Sequence, residues 1–193
     1  MDKAQLRRDY RARRTLFKKN SVEFLSACKA LSSQVSSFLS EFPLGSKILS
    51  YQAYGSEAPV PWVDGFQWAY PRMRSPEEMD FLFVKESGVK GWLKNQYGIF
   101  EPNPKTSSIC TPGEADLIFV PALSFDRSGL RLGGGMGFYD RFLAPLKEGV
   151  LKIGIGFHTQ LHSGELPRDA WDIPLDGLMT ERGLIGFLRR KKS

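Results

Sequence analysis

The chain is poor in the residues that build disulfide scaffolds and zinc sites. Its 193 residues hold two cysteines, Cys28 and Cys110, and two histidines, His158 and His162. Two cysteines are too few for a disulfide framework, and neither histidine has Cys or His partners at zinc-ligand spacing. No apolar run approaches the roughly 20 residues that cross a bilayer. The first residues, Met1 to Arg8, lack the apolar core of a signal peptide. Internal repeats and linkers with a break in composition are also missing. These absences point to a cytoplasmic protein with no membrane segment and to one domain over residues 1–193. The hydrophobic content of 41% and charged content of 25% are ordinary for a globular fold with its own core.

Charge is present but unevenly placed. The net charge is +6, yet residues 1–20 carry eight Lys/Arg and two Asp, and residues 189–192 read Arg-Arg-Lys-Lys. The remaining stretch holds 15 basic and 19 acidic residues, a net of −4. A basic face built into the fold, the usual mark of a nucleic-acid surface, is therefore not indicated. Basic ends beside a mildly acidic body suit a compact polyanion such as ATP.

Hydrophobic spacing organises the chain into alternating helices and strands. Residues 2–19 read as a helix of mixed charge, with Lys3, Arg7, Arg11 and Arg14 on one face. Asn20-Ser21 breaks and recaps the chain, and Phe24, Cys28, Leu31, Val35, Phe38 and Phe42 then recur every three or four residues. The expected strands are residues 47–53, 66–70 (ended by Pro71), 80–84, 115–121, 150–156, 177–180 and 183–188. Residues 85–115 read as irregular. The expected fold is α/β: a single domain with an N-terminal helical pair and an open, mostly parallel sheet flanked by helices.

A glycine-rich stretch lies at a strand-to-helix junction. Residues 131–140 read Arg-Leu-Gly-Gly-Gly-Met-Gly-Phe-Tyr-Asp, after the apolar run 117–120 and before a helix-like run over 138–146. Bare backbone N–H groups beside a helix start suit an anion, so the stretch reads as a phosphate cradle. No Gly-Lys-Ser/Thr follows, which excludes a Walker loop, and the alternating Gly133, Gly135 and Gly137 do not make a dinucleotide fingerprint. Asp140 either complements the helix start or ligates magnesium beside a phosphate; Asp172 is a candidate second carboxylate. Glu57 follows the first strand, where open α/β sheets place ligand groups.

Residues Val120-Pro121, Phe125-Asp126, Arg131-Leu132-Gly133 and Gly135-Met136-Gly137-Phe138-Tyr139-Asp140-Arg141 together resemble the signature of the 5-formyltetrahydrofolate cyclo-ligase family. Weaker matches in the same order include Lys3 with Arg7, Glu57, Pro71, Met73, Glu101-Pro102, Gln160 and Asp172. The resemblance implies ATP- and Mg²⁺-dependent cyclisation of 5-formyltetrahydrofolate to 5,10-methenyltetrahydrofolate through a phosphorylated formyl oxygen. It implies that Lys3, Arg7, Arg131, Tyr139 and the backbone of Gly133, Gly134, Gly135, Met136 and Gly137 hold the nucleotide. It places Glu57, Gly135, Gly137 and Phe138 at the folate, Asp140 and Asp172 at magnesium, and Arg131 and Tyr139 in catalysis. Partners would be the folate and ATP, with the protein a monomer. Gly134 and Met136 stand where the family pattern carries cations, Phe138 where it carries tyrosine, and Trp171 where it carries histidine. Arg127, Arg141 or the N-terminal arginines are candidates to compensate. A rival reading is a nucleotide- or nucleic-acid-binding module that uses the basic ends without catalysis.

Overall fold

The computed structural model describes residues 2–17 and 19–187. Its helices are α1 (Lys3–Leu16), α2 (Val22–Leu39) and α3 (Phe138–Leu143). Its strands in chain order are β1 (Lys47–Leu49), β2 (Gln67–Met73), β3 (Met79–Val84), β4 (Leu93–Lys94), β5 (Phe100–Glu101), β6 (Ile109–Cys110), β7 (Leu117–Pro121), β8 (Ser124–Phe125), β9 (Arg131–Leu132), β10 (Leu151–Ile155), β11 (Gly177–Thr180) and β12 (Gly183–Gly186). α1 begins where the Asp2 carboxylate accepts from the Gln5 N–H at 2.7 Å, and α2 where Ser21 Oγ accepts from the Phe24 N–H at 3.1 Å. Each cap satisfies a donor that has no partner within the helix. Asn20, at φ 71°, turns the chain between the two helices.

One eight-stranded sheet, in the order β12-β11-β10-β7-β1-β2-β3-β6, carries the fold. The central pairs, from β11 through β10, β7 and β1 to β2, are parallel, and both margins are antiparallel. Side chains alternate across each strand, so a sheet covered on both faces needs continuous apolar runs. On β7, Leu117 and Phe119 face one core, while Ile118 and Val120 face the other. The first core is closed by Phe24, Leu31, Val35 and Leu39 of α2. The second is closed by Phe125 together with Phe142 and Leu143 of α3. A third cluster seats Leu6 and Tyr10 of α1 against Leu123, Leu130, Leu132 and Leu166. Among the described residues, no helix is long and apolar enough to cross a membrane.

The fully buried Phe125 ring lies over Gly154 and Gly156. A Cβ built on Gly154 would meet its Cε1 at 2.5 Å, and one on Gly156 its Cε2 at 2.9 Å. Gly154→Ala is therefore expected to destabilise the protein by about 1–3 kcal/mol through overpacking. Urea unfolding measures this, and an unchanged midpoint would show that the ring has room to move.

Several boundaries differ from the sequence reading. The first strand stops at Leu49 instead of residue 53, and Tyr51 beyond it turns to donate its hydroxyl to the Ala58 carbonyl. β2 continues through Pro71 to Met73. The reason is that β1 ends opposite Ala69, so the N–H that Pro71 lacks has no ladder partner to lose on that side. The region 85–115 contains the β4–β5 ladder and β6. The long loop before the glycines contains the β8–β9 ladder. α3 is six residues long and ends at Leu143, short of residue 146. The last strand ends at Gly186; Leu188 and the basic run 189–192 lie outside the described residues.

Candidate functional site

A cleft of about 800 Å³ opens at the C-terminal ends of the central parallel strands. After β1 the chain leaves for β2 on one side, and β7 later returns to pair on the other. This reversal of strand order between β1 and β7 leaves a crevice of the kind in which open α/β sheets bind ligands. Tyr51, Gln52 and Glu57 enter it from beyond β1, Met73 from the end of β2, and Ala122 and Leu123 from beyond β7.

The glycine loop forms one wall. Gly135 has φ 108° and Gly137 φ 68°, left-handed backbone that glycine adopts without strain. A Cβ on Gly133 or Gly134 would meet nothing within 4 Å. Among the described residues, the N–H groups of residues 133–137 donate to no backbone carbonyl, so they remain free for an anion. α3, six residues long, is too short to supply much of a dipole.

α1 lies along the same wall. Lys3 Nζ donates to Asp169 Oδ2 at 2.7 Å and to Asp172 Oδ2 at 2.6 Å. Burial pulls the Lys3 pKa down, but these two carboxylates outweigh it and the net shift is upward. Arg7 Nε donates to the Gly133 carbonyl at 3.2 Å, and Arg11 Nη2 to the Gly134 carbonyl at 2.9 Å. From α3, Arg141 Nη2 donates to the Met136 carbonyl at 2.8 Å. Arginines from two helices thus surround a loop whose own side chains carry no charge.

Arg131 reaches the Asp140 carboxylate with Nη2 at 2.5 Å and the Ile173 carbonyl with Nη1 at 2.6 Å. Its side chain is 5% exposed. Burial pulls the guanidinium's pKa down against the opposing charge of Asp140, yet arginine stays charged at any ordinary pH. Asp140 Oδ1 also accepts from the Ile173 N–H at 3.3 Å, which brings Asp140 beside the segment that carries Asp172. Asp140 and Asp172 line the cleft with Asp169, Glu57 and Glu101, and each of the first two is paired with a cation of the protein. Among the described residues, no group of three or more His, Cys, Asp or Glu forms a metal cage. Two carboxylates in an open cleft suit a hard cation that keeps waters and shares phosphate oxygens.

The opposite wall is acidic and aromatic. Glu57 Oε2 accepts from the Tyr54 N–H at 2.9 Å, and Oε1 faces Arg14 Nη1 at 3.4 Å. Burial pushes the Glu57 carboxyl up, and the Tyr54 bond and Arg14 only partly offset this. Burial first, then the nearby Glu57 charge, pushes the Tyr139 hydroxyl well above its ordinary value. Tyr139 is therefore a hydrogen-bond donor at neutral pH and not a base. Tyr97 and Phe100 reach the cleft because Glu101 Oε1 ties the β4–β5 hairpin to β2, accepting from Asn95 Nδ2 at 2.8 Å and the Met73 N–H at 3.1 Å.

The model of the 5-formyltetrahydrofolate cyclo-ligase family matches residues 1–181. The chain belongs to this family. A curated Mycoplasma pneumoniae 5-formyltetrahydrofolate cyclo-ligase is 26% identical over 190 residues, covering 94% of this chain and 99% of that protein. The Haemophilus influenzae 5-formyltetrahydrofolate cyclo-ligase is 37% identical over 95 residues, or 49% of this chain. There the chain spans about half of its relative, 50% of the length, as it does for the Mycolicibacterium smegmatis protein, at 47%. The solved Aquifex aeolicus 5,10-methenyltetrahydrofolate synthetase superposes with a TM-score of 0.72 at 30% identity, covering 100% of this chain and 96% of that one. A Mycoplasma pneumoniae 5,10-methenyltetrahydrofolate synthetase shares the fold, with a TM-score of 0.74 at 24% identity over 94% of this chain and 99% of that one.

The cleft brings together Lys3, Arg7, Glu57, Arg131, residues 133–137, Phe138, Tyr139, Asp140 and Asp172, as the cyclo-ligase resemblance implies for one site. Two features of it were not foreseen. Arg131 and Lys3, expected to face phosphate, here pair with Asp140 and Asp172, the carboxylates expected to face magnesium. Asp169, Asn95 and Tyr97 also border the cleft without having been singled out for it, as does Glu101, matched to the family pattern without a role. No spacing rule links these residues to the glycine loop. Arg11 and Arg14 did carry a signal, since they continue the Lys3–Arg7 stripe.

Proposed function

We propose that this protein catalyses the ATP-dependent cyclisation of 5-formyltetrahydrofolate to 5,10-methenyltetrahydrofolate, with release of ADP and phosphate, and that the whole chain acts as one catalytic domain. The observation that carries the reading is the shared cleft. A free-amide loop ringed by cations faces an ionisable glutamate with an aromatic wall, in a chain of the cyclo-ligase family.

In this reading the loop amides of residues 133–137 cradle the triphosphate, helped by Lys3, Arg7 and Arg131. Tyr139 donates a hydrogen bond toward the transferring group. Asp140 and Asp172 hold magnesium, which when bound neutralises phosphate charge. Glu57, Phe138 and the loop edge at Gly135 and Gly137 orient the folate so that its formyl oxygen faces the terminal phosphoryl group. Transfer to that oxygen breaks the bond to ADP. The folate's N10 then attacks the activated carbon, the carbon–oxygen bond breaks so that phosphate departs with the former formyl oxygen, and the N10 proton leaves with that phosphate. Such a reaction gains most from alignment and from charge placed before the transition state forms. Arg131, buried against Asp140, would supply that charge, and Asp140 with Asp172 would hold the cation.

The binding-module rival would use cations facing outward, such as the exposed Arg8, Arg13 and Lys19. Lys3, Arg7, Arg11 and Arg14 instead reach acceptors of the cleft. Purified protein given 5-formyltetrahydrofolate and MgATP should produce the methenyl compound, followed by its absorbance, with one ADP formed per ring closed. A folded protein that forms no product would overturn the reading.

A further inference from the structure

Four of the six cations of α1 fall at positions 3, 7, 11 and 14, so these four lie along one face of the helix. The first three meet the glycine loop and the acidic segment beside it. The fourth does not. Arg14 lies 11 residues beyond Lys3, about 16 Å along the helix axis at 1.5 Å per residue. There its guanidinium faces Glu57, and its backbone carbonyl accepts from Ser56 Oγ at 3.2 Å. The loop that carries Glu57 is thus held to α1 at two adjacent residues. Neither side chain of the pair is freely solvated, at 27% exposed for Arg14 and 25% for Glu57.

A helix capped at Asp2 and anchored by Leu6 and Tyr10 in its own apolar cluster moves as a unit. The Tyr10 hydroxyl and His162 Nδ1 also share a hydrogen bond at 2.8 Å. Whatever holds α1 at the glycine loop therefore also fixes where Arg14 stands.

We propose that Arg14 is a positioning residue for Glu57 and that α1 links the two ends of the cleft, so that nucleotide and folate bind with positive coupling. The inference rests on the cyclo-ligase reading. A triphosphate at the loop reinforces the hold of Lys3, Arg7 and Arg11, which already lie against it and the acidic segment beside it, and so tightens the seat of α1. Arg14 then holds the Glu57 carboxylate toward the folate. By reciprocity, a folate that orders Glu57 and Arg14 tightens the nucleotide by the same factor. Arg14 touches neither reacting group and acts through Glu57.

The test is titration of 5-formyltetrahydrofolate into the wild type and into the Arg14→Gln, Arg14→Lys, Glu57→Gln and double Arg14→Gln/Glu57→Gln variants, with and without a non-hydrolysable MgATP analogue. Circular dichroism and thermal midpoints confirm that each is folded. The wild type is expected to bind the folate about fivefold or more tightly in the presence of the analogue, the lower range of typical coupling. Arg14→Gln should lose that factor while binding the analogue alone as the wild type does. Arg14→Lys should recover part of it, and adding Arg14→Gln to Glu57→Gln should cost no further folate affinity. A wild type that binds both ligands independently overturns the inference and leaves the cyclo-ligase reading standing. So does an Arg14→Gln effect that persists undiminished in the Glu57→Gln background, or one that falls on the analogue alone. A folded wild type that binds no folate at all removes the reading and the inference together.

Discussion

Asp140→Asn is expected to lower cyclisation turnover by about 10²–10³-fold, the usual loss when a preorganised charge is removed from a transition state. It should also lower the free energy of unfolding by roughly 1.5–3 kcal/mol, the range for a hydrogen bond to a charged group. Both effects follow from one geometry. Asp140 Oδ1 takes Arg131 Nη2 at 2.5 Å, and the Arg131 side chain is 5% exposed. An asparagine keeps an acceptor for the Ile173 N–H but cannot neutralise a guanidinium that has little water around it. On the proposed reading it also removes one of the two carboxylates that would hold magnesium. The two effects separate by measurement. Turnover followed by methenyl absorbance at ordinary magnesium reads the catalytic loss, and urea unfolding reads the ion pair. Wild-type turnover in the variant would sink the magnesium assignment, and an unshifted unfolding midpoint would sink the buried pair.

Gly135→Val should weaken nucleotide binding by about tenfold to a hundredfold, whereas Gly134→Ala should change it by less than about twofold. The two neighbours differ in backbone conformation. Gly135 sits at φ 108°, where a β-branched residue is a steric outlier, and a Cβ there would point at the Arg7 guanidinium, 3.5 Å from its Nε. Strain of this kind is worth about 1–3 kcal/mol and is released when the loop moves, carrying its amides out of register. Gly134 has no positive φ, and a Cβ on it would meet open space. Titration with a MgATP analogue distinguishes the two positions. Equal losses at both would mean that the loop recognises nothing through its backbone shape. The loop is exposed, so neither substitution should alter the thermal midpoint by more than a degree or two.

Local chemistry made much of this protein legible before its fold was known. The α2 periodicity from Phe24 onward and the Asn20-Ser21 break describe interactions within a few residues, and both appear as expected. Continuous apolar runs such as residues 117–120 announce strands covered on both faces, because each face needs every second side chain. The stripe of Lys3 and Arg7 was readable for the same reason, since a helix turns neighbours at i and i+4 to one side. Strand ends were less legible. β1 stops at Leu49 and β2 passes through Pro71 because of which strand lies alongside, a fact that no local window contains.

The amino-acid order alone determined the two N-terminal helices, the buried strands, the glycine loop and the cyclo-ligase family, because each depends on contacts or motifs close in sequence. Tertiary structure decided which residues share the cleft and how they are paired. Lys3 meets Asp172 across 169 positions, Arg14 meets Glu57 across 43, and Arg131 is buried against Asp140. Those pairings depend on where the sheet reverses its strand order and on how α1 lies across the reversal. Long-range distance and burial set the strength of a charge, and residue spacing along the chain carries neither.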